Sequence, residues 1–282
     1  MPEKNLLTAC AQIAREKDKD RFLVALTAPA SAQEYLFALI AFNHEIAKTR
    51  DSVSETMLGQ IRLQWWREAI AECYEGKPRR HEVVQPMHEA ISTCKLSRPL
   101  LEGLIDAREK DLSDSEPADI DALILYARNT GGILNELFAE ALGCSEEVSK
   151  RAARQIGTAW ALVGTMRALP FTLRQKQILI PTDLLEKYGV DRQDLLELRN
   201  PDTLKPAVRE ICQEATGLIR QVRKERSKIE SKALPALHLA SFAESYLGQL
   251  EKAGYDTYSP LLAQPSSLRN LKLIVRHLLR RF

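Results

Sequence analysis

The 282-residue sequence predicts an all-α protein, and three observations carry that expectation. Glycine and proline are sparse, 12 and 13 respectively, so few positions force the chain to turn. Alanine, leucine, glutamate, arginine, lysine and glutamine recur throughout while β-branched runs are scarce, which favours helix. Apolar residues also return at helical spacing in one window after another.

The elements follow in order. After a short leading helix, Pro29 stops the chain, and Ser31-x-x-Glu34 reads as a capping box for a helix through Tyr35-Leu36-Phe37-Ala38-Leu39-Ile40-Ala41-Phe42. That segment is apolar all round, so it belongs in the core. A second capping box, Ser52-x-x-Glu55, opens a helix carrying Ile61, Leu63, Trp65, Trp66 and Ile70, which closes at Gly76-Lys77-Pro78. Further helical windows lie at 82–94, 97–110, 119–142, 146–169, 202–230, 236–253 and 266–281, with Gly143, Gly189 and Gly254 as C-terminal stops. The one extended stretch is Gln177-Ile178-Leu179-Ile180-Pro181, after which Asp183 and Asp191 start short helices. No repeat or low-complexity linker divides these windows. Residues 1–282 therefore read as a single helical domain, expected to enclose a central cavity where a bundle sets its ligand site.

Composition excludes several function classes. Forty Lys and Arg against 38 Asp and Glu leave a net charge of +2, too small for a general nucleic-acid binder. Cys10, Cys73, Cys94, Cys144 and Cys212 are far apart and read as reduced thiols. His44, His81, His88, His238 and His277 are dispersed, so no zinc site is expected. Glycine-rich phosphate loops, His-Glu-x-x-His and Gly-x-Ser-x-Gly are all missing. No run of about 18 apolar residues exists to span a membrane. Met1-Pro2-Glu3-Lys4-Asn5 lacks the pattern of an export or organelle address, so a cytoplasmic location is expected.

Four windows then stand out: Phe37-Ala38-Leu39-Ile40-Ala41-Phe42-Asn43-His44-Glu45-Ile46-Ala47-Lys48-Thr49-Arg50-Asp51; Gln64-Trp65-Trp66-Arg67-Glu68; Tyr126-Ala127-x-x-x-Gly131-Gly132; and Gly157-Thr158-Ala159-Trp160 through Met166-Arg167-Ala168-Leu169-Pro170-Phe171, with Arg174 and Ile178-Leu179-Ile180-Pro181 beyond. In this order they resemble the squalene/phytoene synthase family over nearly the whole chain. The resemblance implies the isoprenoid synthase fold, in which two prenyl diphosphates are joined in a central cavity. It also implies Asp pairs at i and i+4 on two facing helices, holding Mg²⁺ against diphosphate oxygens. Here the first pair falls on Ala47 and Asp51 and the second on Ala168 and Thr172, so three of four carboxylates are absent. The amides that precede the second pair fall on Ala161 and Gly164, and the early Ser/Thr before a Phe is replaced around Asp20-Arg21-Phe22. Ala41-Phe42-Asn43-x-Glu45-x-Ala47, Asp51-Ser52-Val53-Ser54-Glu55 and Arg167-Ala168-x-Pro170 resemble instead the subfamily of mitochondrial complex I assembly factor 6 and its bacterial relatives.

Seven residues are candidates for a degenerate cavity or ligand site: His44, Glu45, Asp51, Trp65, Tyr126, Arg167 and Arg174. Arg167 and Arg174 could fork an anion, or pair with a neighbouring helix. His44, Glu45 and Asp51 could hold a polar ligand, although a polar helix end satisfied by neighbours is the simpler account. Trp65, Trp66 and Trp160 suit core or cavity packing, Tyr126 with Gly131-Gly132 a close helix approach, and Glu136 with Glu140 a solvated face. Arg220, Arg223, Lys224, Arg226 and Lys228 read as solvated surface. In the last window Leu268, Leu271, Ile274, Val275, Leu278, Leu279 and Phe282 form an apolar side, expected to dock on the bundle with its basic side in solvent; the alternative lays it on anionic lipid.

The resemblance thus implies a non-catalytic helper in assembly of respiratory complex I, with complex I subunits or assembly intermediates as partners, peripheral inner-membrane contact, and no cofactor. Two alternatives remain open. One is a prenyltransferase with a rearranged site, which would need Mg²⁺; the other is a non-catalytic isoprenoid- or lipid-binding protein.

Overall fold

The computed structural model describes residues 7–53, 55–113, 115–264 and 268–282. The Met1–Asn5 segment, Ser54 of the second capping window, and Ser266 and Ser267 of the last window lie outside the described residues. Among the described residues there is no strand. The helices are α1 (Ala9–Lys17), α2 (Lys19–Ala25), α3 (Ala30–Ala47), α4 (Thr56–Tyr74), α5 (Val84–Cys94), α6 (Arg98–Glu109), α7 (Ile120–Ala127), α8 (Ile133–Ala141), α9 (Glu147–Arg174), α10 (Thr182–Tyr188), α11 (Arg192–Leu196), α12 (Leu204–Lys224), α13 (Leu234–Leu237), α14 (Leu239–Lys252) and α15 (Arg269–Leu278). Short 3₁₀ turns fall between some of them.

Several boundaries differ from the sequence reading. Pro29 stands at the N-cap of α3, so Ser31 is already helical, and Glu34 accepts a hydrogen bond from Thr8 Oγ at 2.8 Å instead of closing a capping box. Ser52 likewise does not cap α4; its hydroxyl donates back to the Lys48 carbonyl at 2.7 Å. Asp119 and Asp191 do cap, accepting from Ala122 N and Gln193 N, each at 2.8 Å. The 119–142 window is broken by a π-helical turn over Arg128–Gly132, where the Thr130 hydroxyl donates to the Tyr126 carbonyl at 2.8 Å. The helix expected to stop at Leu169 instead runs through Pro170 to Arg174, although proline supplies no N–H to the preceding turn.

The chain divides into two compact units. The first comprises residues up to Ser113, Ile133–Ala153 and Glu230–Ala236. Its centre is α3, whose Leu36, Phe37, Ala38, Leu39, Ile40, Ala41, Phe42 and Ile46 are buried under α1, α5, α6 and α8. Trp66 on α4 is 1% exposed and sets its edge on Phe42 with ring centres 5.6 Å apart. The buried Asn135 amide donates to the carbonyls of Ala153 (2.7 Å) and Ala236 (3.1 Å), joining three stretches distant in sequence. Glu230 accepts the N–H groups of Ser145 (3.1 Å) and Glu146 (3.0 Å) ahead of α9. Although burial raises its pKa, these bonds and Lys232 bring the carboxyl down to about 2. Glu136 and Glu140 are half-buried, not a solvated face: Glu140 accepts the Ser97 N–H at 2.8 Å at the start of α6.

The second unit comprises Asp114–Gly132, Arg154–Ile229 and Leu237–Phe282. Its α12 carries a buried stripe of Ala207, Val208, Ile211, Ala215, Ile219 and Val222 and packs on α10 and α14. Glu210 accepts from Tyr188 Oη and Lys187 Nζ, both at 2.7 Å, clamping α10 to α12. The docking of α15 on α14 is the reverse of the expected one. Arg269, Leu273 and Phe282 are buried and Arg276 donates to Ser241 Oγ (2.8 Å) and Glu244 (2.9 Å), whereas Leu268, Leu271, Ile274, Val275, Leu278 and Leu279 are exposed. The 220–228 stretch is correspondingly only partly solvated. Arg223 pairs with Glu244 and donates to the Phe282 carbonyl at 3.1 Å, and Arg226 donates to the Arg280 carbonyl at 2.7 Å.

All five cysteines are free and four are buried. No helix among the described residues is long and apolar enough to cross a membrane.

Candidate functional site

The first unit holds four of the seven candidate residues. The apolar α3 ends in a polar turn because its last residues emerge from the core and must be satisfied by side chains. Glu45 is buried there, accepting from Lys48 Nζ and from Arg62 Nη2 at 3.1 Å. Two positions earlier, Asn43 Oδ1 accepts from Arg108 Nη2 at 3.2 Å, and Arg108 pairs with Asp111 at 3.1 Å. Arg50 donates to the carbonyls of Asp111 and Ser113. Two polar clusters thus tie the end of α3 to its neighbours, one around Arg108 to the end of α6 and one around Glu45 to the first turns of α4. In the second, Glu45 already faces two cations. His44 is half-buried beside it; burial and the Lys48 ammonium hold its imidazole below the ordinary range. Asp51 is exposed on the 3₁₀ turn Arg50–Ser52. Trp65, also half-buried, lies edge-on to Trp66 (4.9 Å between centres) beneath the Arg79 guanidinium at 5.2 Å. It lines an open groove of about 440 Å³ with Gln60, Ile61, Gln64, Arg67, Glu68 and Glu109.

The second unit holds the other three. Arg167 lies on α9. Its guanidinium carbon sits 3.3 Å over the ring of Tyr246, which is 2% exposed and also touches Trp160 at 5.9 Å. The Tyr246 hydroxyl in turn accepts from the buried Arg269 of α15. Arg174 is exposed at the end of α9, and Tyr126 is half-buried on α7. At Gly132 an added Cβ would lie 2.7 Å from Thr158 Oγ and 3.2 Å from the Arg154 carbonyl oxygen, so this glycine permits close approach to α9.

In the first unit His44 and Glu45 meet at the α3 end, while Trp65 lines the α4 groove; in the second Arg167 stacks on Tyr246. The sequence does not point to Arg62, Arg108 and Tyr246, and it places Arg269 on a basic side facing solvent, whereas Arg269 is buried. They lie 17 to 79 residues from the residues they contact, and no local pattern joins them. The one available signal was charge: Arg62 stands between Ile61 and Leu63 in α4.

Comparison with known proteins places this architecture in the class of all-α isoprenoid-synthase-fold proteins. The crystal structure of squalene synthase HpnC from Alicyclobacillus acidocaldarius superposes with a TM-score of 0.78 at 19% identity, covering 88% of this chain and 93% of that one. A dehydrosqualene synthase solved with ligand gives 0.81 at 17% identity, covering 95% and 93%. A model of the squalene/phytoene synthase family matches residues 14–272. The rat protein named NADH dehydrogenase (ubiquinone) complex I, assembly factor 6, is 30% identical over 282 residues, spanning all of this chain and 84% of the rat protein. The chain belongs to the squalene/phytoene synthase family.

The metal that the family implies can be tested against the donors present. Ala47 and Ala168 offer only methyl groups, and buried Thr172 donates its hydroxyl to the Leu169 carbonyl at 3.2 Å. Glu45, the nearest other acid in sequence, faces Lys48 and Arg62. No group of three or more His, Cys, Asp or Glu is placed to hold a metal among the described residues. These residues do not fit a carboxylate clamp for divalent ions, which needs several anionic oxygens.

Proposed function

We propose that this chain aids assembly of respiratory complex I and does not join prenyl diphosphates, with complex I subunits or assembly intermediates as its partners. One observation carries the reading: full-length likeness to a protein named as a complex I assembly factor coincides with alanine or threonine at three of the four positions where the family resemblance implies metal-binding carboxylates. Without those oxygens the departing diphosphate loses its electrostatic stabilisation, and the scaffold is left for binding.

Deletion in the native host, followed by native-gel measurement of assembled NADH dehydrogenase, tests the role. Loss of the assembled complex, restored by the wild-type gene, is the expected result. Unaltered assembly would reject the reading. A second assay incubates the protein with farnesyl diphosphate and Mg²⁺; no diphosphate release is expected. Release that disappears in Asp51→Ala would favour the prenyltransferase alternative.

A further inference from the structure

The outward face of α15 exposes an apolar stripe. Leu268, Leu271, Ile274 and Leu278 recur at i, i+3 and i+4 intervals, and each is more than half exposed, Leu278 at 75%. An amphipathic helix of a globular protein turns such a stripe inward. Here the polar stripe faces inward. Arg269 reaches the Tyr246 hydroxyl and Arg276 reaches Ser241 and Glu244, so the helix is held by ionic and hydrogen-bonded contacts that leave its apolar side uncovered.

Charge identifies what covers it. Residues 268–282 contain no Asp or Glu, and Lys272, Arg280 and Arg281 are exposed along or just beyond the apolar stripe. A second copy of the chain laid on this stripe would bring these cations against their own counterparts, which opposes self-association. A surface that is apolar inside and anionic outside meets both demands.

We propose that α15 is a lipid-surface anchor whose outward stripe lies on an anionic phospholipid bilayer, with Leu271, Ile274 and Leu278 entering the acyl boundary and Lys272, Arg280 and Arg281 meeting phosphates. The inference is independent of the assembly reading, because an enzyme acting on isoprenoids would use the same anchor.

The test is flotation of the full-length protein with vesicles of phosphatidylglycerol and phosphatidylethanolamine, against phosphatidylcholine alone. Binding to the anionic vesicles, weakened by added salt, is expected. Leu271→Glu with Leu278→Glu should lower partitioning at least about tenfold, and Lys272→Glu with Arg281→Glu should abolish the preference for anionic lipid. Both pairs are at exposed positions, and matching melting temperatures verify that the fold is intact. Failure of the wild type to bind anionic vesicles overturns the proposal. So does equal binding by the Leu271/Leu278 variant, or a dimer in light scattering that this variant splits while vesicle binding is absent.

Discussion

At Gly132 a single methyl group would meet both a hydroxyl and a backbone carbonyl. The Thr158 hydroxyl can rotate away but the Arg154 carbonyl cannot, so Gly132→Ala is expected to lower stability by about 1–3 kcal/mol in urea unfolding. Adding Thr158→Ala should recover only part of the loss. This contact was legible in sequence as Gly131-Gly132 inside a helical window, since a glycine that costs helix stability needs a packing reason. The role of Glu140 was not legible, because its partner is the Ser97 N–H, 43 positions away. Burial raises the Glu140 pKa, only partly offset by that N–H. Glu140→Gln keeps the acceptor and removes the buried charge, so it should preserve or improve stability at neutral pH, whereas Glu140→Ala should cost about 1 kcal/mol. His238 is fully buried, and burial, then His277 and Arg276, hold its imidazole down to about 4. In the unfolded chain it titrates near its ordinary 6.5. The unfolded state therefore binds more protons between those values. Stability is complete above pH 6.5 and declines as pH falls towards 4. His238→Asn should flatten that part of the stability profile; an unchanged slope would show that other groups set it.

At the scale of elements, periodicity located most helices but misjudged how they begin, bend and dock. The two Ser-x-x-Glu patterns carry the right residues for capping boxes, yet Pro29 and Glu55 occupy the actual N-caps. A proline before α3 fixes the entry angle by itself, leaving Ser31 inside the first turn. The α9 helix continues past Pro170 because the residues around it, Leu169, Thr172 and Leu173, are buried, and tertiary packing outweighs one missing rung. The inverted docking of α15 follows from partners supplied by other helices. Glu244 of α14 joins Arg223 of α12 to Arg276 of α15, and although burial raises its pKa, those two guanidinium groups hold its carboxyl below the ordinary range. No inspection of residues 268–282 alone reveals an acid waiting on another helix. Glu244→Ala should therefore free α15, at a cost on the order of 1–3 kcal/mol, and limited proteolysis should cut the released helix before the rest of the chain. Intact α15 in that variant would mean that Arg269 and Leu273 suffice to hold it.

For the molecule as a whole, the family was readable because four separated windows keep their order across nearly the full chain, a coincidence that local composition does not produce. The division into two compact units was not readable. Each unit gathers segments that are remote in sequence, and no proline- or glycine-rich linker marks the change from one to the other. The cysteines offer a way to follow those units separately. Cys10, Cys73 and Cys144 belong to the first and Cys212 to the second, and all four are buried. Burial pushes the thiols of Cys10, Cys144 and Cys212 up to about 12 and that of Cys73 to about 11. Almost no thiolate exists at neutral pH while the chain is closed. A brief pulse of iodoacetamide, read peptide by peptide in a mass spectrometer, would tag each sulfur only when its surroundings come apart, making the four thiols native clocks for whether the halves open together or in turn.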